Sequence, residues 1–487
     1  MHTPTPEQVH AADTFRSGRH LALQAGAGTG KTSTLCLLAA DTKRRGRYMA
    51  FNKDIARDAA ARFPSSVQCR TTHATAFAAL GHRYTSRLNS PRQPAWKTGQ
   101  ALGILRPARI ADHEVSPRTL SHNVLRTVTR FCHSADTALA RHHVPRLRGL
   151  DAPADHRQFA ELVLPFAAKA WADLQRPDHG VVRFEHDHYL KMWALTGPKI
   201  EADFLFLDEA QDTNPVLEQV FTAQRDHAQL VMVGDSAQAI YGWRGATDVM
   251  TGFDAEQLTL TLSFRFGPRI ADEANRWLAL ADAPIRLTGT TSVPAEVSSI
   301  DHPDAVLCRT NIGAMTEVIR LLGEGHRVAL TRGGQQLAQL AYAARNLKEG
   351  RRTHHPELVL FASWGDLQDY AAYDPAGHDL QPFVDLIDTH GPEAILAAVS
   401  ELSEEAHADV TVSTAHKAKG REWPAVRIGN DFPQPQNTDP GTSTAAQAPE
   451  VSDADARLAY VAVTRARHRL DLGGLAWNTT AQETESG

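Results

Sequence analysis

Apolar runs bounded by turn residues recur along the chain and alternate with stretches of helical periodicity. They read "HLALQAG", "YMAFNK", "SVQCRTTH", "FLFLDEAQD", "QLVMVGD", "LTLTLSF", "AVLCRT", "HRVALTRGG", "DVTVSTAHKAKG" and "AVRIGND". Short β-rich runs set between helical segments predict parallel α/β units, and these are too many for one sheet. The pattern therefore predicts two α/β domains, the first at residues 1–85 and 200–253 and the second at 254–333 and 409–480. Residues 86–199 are patterned in Arg, His and Leu with few strand signals, and read as a helical insertion in the first domain. Residues 334–408 carry "QQLAQLAYAARNL", "DLQPFVDLIDTHG" and "EAILAAVSELSEEA", which predict a smaller helical insertion in the second. Residues 433–453 are of low complexity and are expected to form a mobile loop.

Composition narrows the classes. The 487 residues are 42% hydrophobic, enough for large buried cores. No run is long and apolar enough to span a membrane, and the start "MHTPTPEQVH" has no charged region leading into an apolar one, so a cytoplasmic protein is expected, on the nucleoid if its source is bacterial. Cys36, Cys69, Cys132 and Cys308 lie far apart, which argues against a disulfide framework, a zinc knuckle or an iron–sulfur cluster. The net charge of −5 hides an asymmetry: residues 1–150 hold 23 Lys and Arg against 8 Asp and Glu, and the rest of the chain is acidic. One basic face would produce that split, and so would basic helices that are merely solvated.

The chemistry begins at "LALQAGAGTGKTSTL", an apolar strand, a Gly-rich turn and a helix. Gly26, Gly28, Thr29 and Gly30 let backbone N–H groups curl around phosphates, and the helix N-terminus adds its dipole. Lys31 would reach the β- and γ-phosphates and Thr32 would hold Mg²⁺. Ala25 stands where the strict phosphate-loop pattern begins with Gly. In "FLFLDEAQD", Asp208 and Glu209 end an apolar strand, where open α/β sheets bind their ligands. Asp208 suits Mg²⁺, and Glu209 suits polarising a water against the γ-phosphate, which hydrolysis of ATP needs and binding alone does not. "VGDSAQAIYGWRGA" then joins Gln238, placed to sense the phosphate or its water, to Tyr241, Trp243 and Arg244. Aromatic faces stack on unpaired bases without sequence preference, so this turn reads as a coupling device between nucleotide and single strand. Core aromatics would give the same spacing.

These motifs, in this order, resemble the superfamily I helicases of the UvrD/Rep/PcrA type. "TPEQVHAA" is similar to their Q motif, with Gln8 reading adenine, and "FNKDIARDAAARF" to motif Ia, with Phe51 and Asn52 near DNA. "TTHATA" resembles the motif that touches the DNA backbone through Thr72 and His73, with Thr in place of the usual Phe. "LTLSFRF" resembles motif IV, which implies that Phe264 stacks on adenine and Arg265 meets the γ-phosphate. "VSTAHKAKGREWPAV" is similar to motif V, with His416 toward DNA and Glu422 toward the ribose; "ARLAYVAVTRARHRL" is similar to motif VI, with Arg465 as the arginine finger. A nearer resemblance is to the helicase region of F-box DNA helicases and their bacterial relatives, through "FEHDHYLKMWALTGPKIEADFLFLDEAQDTNP", "SFRFGPRIADEAN" and "HKAKGREWPAV". The Q-like motif starts near residue 5, so no F-box is expected before it.

The resemblance implies two RecA-like domains, 1A and 2A, with insertions 1B and 2B, closing on ATP and Mg²⁺. It implies 3′→5′ movement on single-stranded DNA or at DNA junctions, in repair or recombination. The short 2B-like insertion leaves translocation expected but not strong processive unwinding, and any nuclease or repair function would come from a partner chain. The same motor could instead serve a phage-defence or helicase–nuclease complex, or act as an ATP-switched DNA-binding module. Glu185, His186, Asp187 and His188 are not expected to hold a metal, because consecutive residues point in different directions, and the resemblance implies a structural helix there.

Overall fold

Parallel pairing dominates the structure, a computed structural model that describes residues 3–477 apart from 41, 51, 89, 91–94, 148, 151, 241–248, 251, 332, 356, 359–360, 374–379 and 434–450. In chain order the strands are β1 (Leu21–Ala25), β2 (Gly46–Ala50), β3 (Val67–Thr71), β4 (Ala108–Ile110), β5 (His113–Val115), β6 (Phe204–Leu207), β7 (Gln229–Gly234) and β8 (Glu256–Leu260). They continue as β9 (Leu262–Ser263), β10 (Thr288–Gly289), β11 (Glu296–Val297), β12 (Ala305–Cys308), β13 (Val328–Leu330), β14 (Val410–Thr414), β15 (Trp423–Ile428) and β16 (Ala466–Asp471). Two six-stranded sheets result, in the orders β3-β2-β6-β7-β1-β8 and β11-β16-β15-β12-β14-β13, and their pairings are all parallel. This is a two-domain α/β fold of RecA-like character.

The central strands are apolar on both faces, as a parallel sheet covered by helices requires. Leu21, Leu23, Phe204, Phe206, Val231 and Val233 pack on one side of the first sheet, while Leu205, Leu207, Leu230 and Met232 pack on the other. That second side also covers the long helices Pro117–His133 and Pro153–Leu174, so the helical block between β3 and β6 shares a core with the sheet. The block also holds the small antiparallel hairpin of β4 and β5, which its polar sequence did not signal. In the second domain, helices Pro268–Leu280 and Asp453–Val463 cover one face, and Asn311–Gly323 with the helices between β13 and β14 cover the other.

The boundary expected at residue 254 needs correcting. β8 pairs in parallel with β1, Leu21 opposite Glu256 and Ala25 opposite Leu260, so the first sheet extends past it. The run "LTLTLSF" alternates in the same way whichever sheet receives it, and only the pairing partner decides. The chain crosses between domains immediately afterwards, at β9, where Phe264 N–H donates to Gly28 O at 2.9 Å. The segment 433–453 lies almost wholly outside the described residues.

Candidate active site

Strand order assembles the site. β6, β7 and β1 are neighbours and run in parallel, so the loops leaving their C-terminal ends lie side by side. These are the phosphate loop after β1, Asp208 and Glu209 after β6, and Asp235 to Gln238 after β7. The loop is glycine-rich for a reason visible at Gly28. Its φ is +76°, and a Cβ there would lie 2.5 Å from Ser263 Oγ and 2.6 Å from Arg265 Cβ. Gly30 is also left-handed, at φ +81°, facing Gln8 and Phe264. Thr29 Oγ1 closes the turn onto Gly26 O at 2.9 Å. Lys31 Nζ donates to Ala25 O and Gly26 O at 3.1 and 3.3 Å, and so lies over the loop.

Gln8 is buried at the start of helix Pro6–Arg16. It forms a capping box with Thr5, and its amide reaches Thr34 Oγ1 at 3.0 Å. That fixes the amide beside Gly30 and the Phe264 ring, where the adenine-reading pair was expected.

Thr32 Oγ1 lies 3.3 Å from Asp208 Oδ2. The two oxygens converge as Mg²⁺ ligands would, beside glycines that leave room for phosphates, so the residues fit Mg²⁺·ATP. The bound ion would draw charge from the phosphate oxygens. Burial, then the neighbouring Glu209 carboxylate, push Asp208 up to about 6. The Tyr48 hydroxyl and the Glu209 N–H both donate to it. Burial also pushes Glu209 upward, but Lys31, Lys419, the Gln211 amide and Arg465 outweigh it, and the net direction is downward. Glu209 thus remains a carboxylate able to accept hydrogen bonds from water. Its backbone is left-handed, φ +52° and ψ +44°, a conformation that costs a non-glycine residue about 1–3 kcal/mol and is concentrated at functional sites.

The second domain completes the cleft. Trp423 pairs with Ala466 across β15 and β16, so the residues just before these strands, Glu422 and Arg465, are neighbours. Arg265 Nε donates to Glu422 Oε2 at 2.6 Å and Arg265 Nη1 to Thr464 O at 2.9 Å. Arg465 is buried, held by Val461 O and Thr464 Oγ1 at 2.8 and 3.0 Å. Burial and then Arg265 lower it to about 9, so it stays charged at neutral pH. Glu422, expected at the ribose, here serves Arg265.

Three of the described residues expected at DNA stand just after strands. Asn52 and Thr72 follow β2 and β3, and His416 follows β14. Asn52 Oδ1 caps helix Lys53–Ala60 by accepting from Ile55 N–H at 2.9 Å. Thr72 is buried in the first turn of helix Thr72–Ala79, unlike a side chain that faces a strand. His73 Nε2 and His133 Nε2 share Asp187, at 3.0 and 3.1 Å. Burial works against the charge on Asp187, but the two imidazoles pull it well below the usual carboxylate range. His188 Nδ1 accepts from Glu185 N–H at 2.8 Å, a helix-capping role. His416 hydrogen-bonds the backbone of Ile240, at the entrance to the aromatic turn. Phe51, Tyr241, Trp243 and Arg244 lie outside the described residues.

Sequence reasoning passed over several members of the network. Gln211 donates to Glu209 and accepts from Asp235 N–H at 3.0 Å, joining the loops after β6 and β7. Lys419 donates to both Asp212 oxygens, at 2.8 and 2.6 Å, and to Gln238 O at 2.8 Å. Tyr460 reaches Asp235 and the phosphate loop. All lie within quoted motifs, but no spacing along the chain pairs residues of different domains.

Two family models match the chain, the UvrD/REP helicase N-terminal domain over residues 188–254 and the UvrD-like helicase C-terminal domain over residues 336–473. The chain thus carries regions similar to both the N-terminal and the C-terminal domains of UvrD-like helicases. Among similar proteins, F-box DNA helicase protein 1 of Schizosaccharomyces pombe is 30% identical over 93% of this chain and 55% of its own length. F-box DNA helicase 1 of Gallus gallus is 28% identical over 85% of this chain and 43% of its own. ATP-dependent DNA helicase UvrD2 of Mycobacterium bovis is 26% identical over 92% and 75%. This UvrD-like chain spans about half the length of the two F-box relatives. No helix among the described residues is long and apolar enough to cross a membrane.

Proposed function

We propose that this chain is a DNA-stimulated ATPase that moves 3′→5′ along single-stranded DNA and acts in DNA repair or recombination. The observation that carries the reading is a divided ATP site. Lys31, Thr32, Asp208, Glu209 and Gln238 come from one sheet, while Arg265, which lies against Gly28, and Arg465, whose charge acts on Glu209, come from the second domain. Lys31 would anchor the phosphates, and Thr32 and Asp208 would hold the Mg²⁺. Glu209 accepts a proton from the attacking water. The two arginines neutralise charge developing on the γ-phosphoryl group, a contribution of about 10³–10⁵ in rate for an arginine finger. Because they belong to the second domain, full catalysis requires a closed cleft, and each opening and closing moves the domains relative to one another. The resemblance to UvrD-like helicases supports the polarity and the repair role. Phe51, Tyr241 and Trp243 are the bases' stacking partners in this reading, with backbone phosphates on the basic first 150 residues.

Steady-state ATP hydrolysis with and without poly(dT), and with its RNA equivalent, tests the proposal. Many-fold stimulation by DNA is expected, followed by displacement of strands from 3′-tailed rather than 5′-tailed duplexes. Turnover indifferent to DNA would overturn the motor reading.

A further inference from the structure

The turn Asp235–Gln238, which belongs to the first domain, is gripped at three points by side chains of the second. Tyr460 OH donates to Asp235 Oδ2 at 2.8 Å. Arg457 Nη1 donates to Ser236 O. Lys419 Nζ donates to Gln238 O at 2.8 Å while it pairs with the buried Asp212 carboxylate. The Tyr460 contact reaches further, because the same hydroxyl accepts from Ala27 N–H in the phosphate loop at 3.0 Å. Asp235 Oδ2, which accepts the Tyr460 hydrogen bond, also accepts from Gln238 Nε2 at 2.7 Å. One phenol thus joins the phosphate loop, the side chain that orients Gln238 and the helix that leads five residues later to Arg465.

We propose that Tyr460, supported by Arg457 and Lys419, is a positioning latch that sets Gln238 and Arg465 in register with the phosphate loop only when the cleft is closed. The proposal rests on the ATPase reading above and deepens it. Helix Asp453–Val463 cannot retreat with the second domain without breaking the Ala27–Tyr460–Asp235 bridge. The turn that carries Gln238 is then released together with the departure of Arg465. Opening therefore switches off two hydrolytic groups in one movement. Reclosure requires the buried phenol to recover both partners.

Tyr460→Phe keeps the ring in its core and removes both bonds. The expected result is a kcat lower by about 10- to 100-fold, with the ATP KM nearly unchanged and most of the stimulation by poly(dT) lost. A kcat within twofold of wild type with stimulation intact would overturn the latch, and so would a loss residing wholly in ATP affinity. Thermal unfolding and binding of a fluorescent ATP analogue establish that the variant is folded and loads nucleotide. The latch is also readable without turnover. Small-angle X-ray scattering should give a larger radius of gyration for the Tyr460→Phe, Arg457→Gln double variant than for wild type, and equal radii would refute it. Differing radii with no wild-type ATPase would leave the latch standing and overturn the ATPase reading instead.

Discussion

Replacing Gly28 by Ala would separate phosphate-loop architecture from phosphate-loop chemistry, because the atoms nearest the added methyl group belong to Ser263 and Arg265 on the segment that crosses to the second domain. The backbone at φ +76° costs an alanine about 1–2 kcal/mol, paid in any state of the cleft. The larger effect is steric. The new Cβ would lie 2.6 Å from Arg265 Cβ, whereas carbon atoms rest about 3.5–4.0 Å apart, so Arg265 or the loop must move by roughly 0.9 Å. Ser263 Oγ, at 2.5 Å, is a second close contact of the same crossing segment. Both residues stand on the crossing segment between the domains, so the methyl group acts as a wedge in the closed cleft. A misplacement near 1 Å costs about 10²-fold in rate, and loss of the Arg265 contribution entirely would cost still more. ATPase at saturating poly(dT) and ATP should therefore fall about 10²-fold, with the melting temperature lower by only a few degrees. A Gly28→Ala variant with kcat within threefold of wild type would refute the close approach on which this reasoning depends, and a variant that fails to fold would refute the division between local strain and cleft closure.

Lys31→Ala should abolish turnover by removing the cation over the loop; persistent ATPase would refute the site assignment. Asp208, raised to about 6, favours the protonated form in the folded protein, so the stability it contributes is present at low pH and lost as the pH rises through that value. Mg²⁺ needs the ionised form, so the Mg²⁺ concentration giving half-maximal ATPase should fall as the pH rises from about 5 to about 7, and a flat response would remove Asp208 as a ligand. Trp243→Ala should leave basal ATPase in place and weaken stimulation by poly(dT); full stimulation would dissociate the aromatic turn from the single strand.

Much of this protein is determined by local sequence. Each of the ten apolar runs carries a strand: the central ones, covered on both faces, are apolar along their length, the edge strands β3 and β8 alternate, and either pattern is visible in a window of a few residues. The phosphate loop is equally legible, since left-handed positions such as Gly28 and Gly30 call for glycine. β16 escaped notice because its residues "ARHRLD" alternate: Ala466 and Leu470 are buried while Arg467 is exposed, as suits a strand that pairs on the sheet yet shows solvent a charged side.

Tertiary structure decided what adjoins what. More than a hundred residues of helical insertion separate β1 from β6 and β7, yet their order in the sheet brings Asp208, Gln238 and Lys31 to one edge. Glu422 and Arg465 become neighbours through the register of β15 on β16, and Tyr460 meets Ala27 across the cleft from far down the chain. Parallel pairing and domain closure act between segments whose separation along the chain carries no information about distance in space. Residue type and period therefore specified the parts of the site, and packing of the two sheets against their helices specified which parts touch.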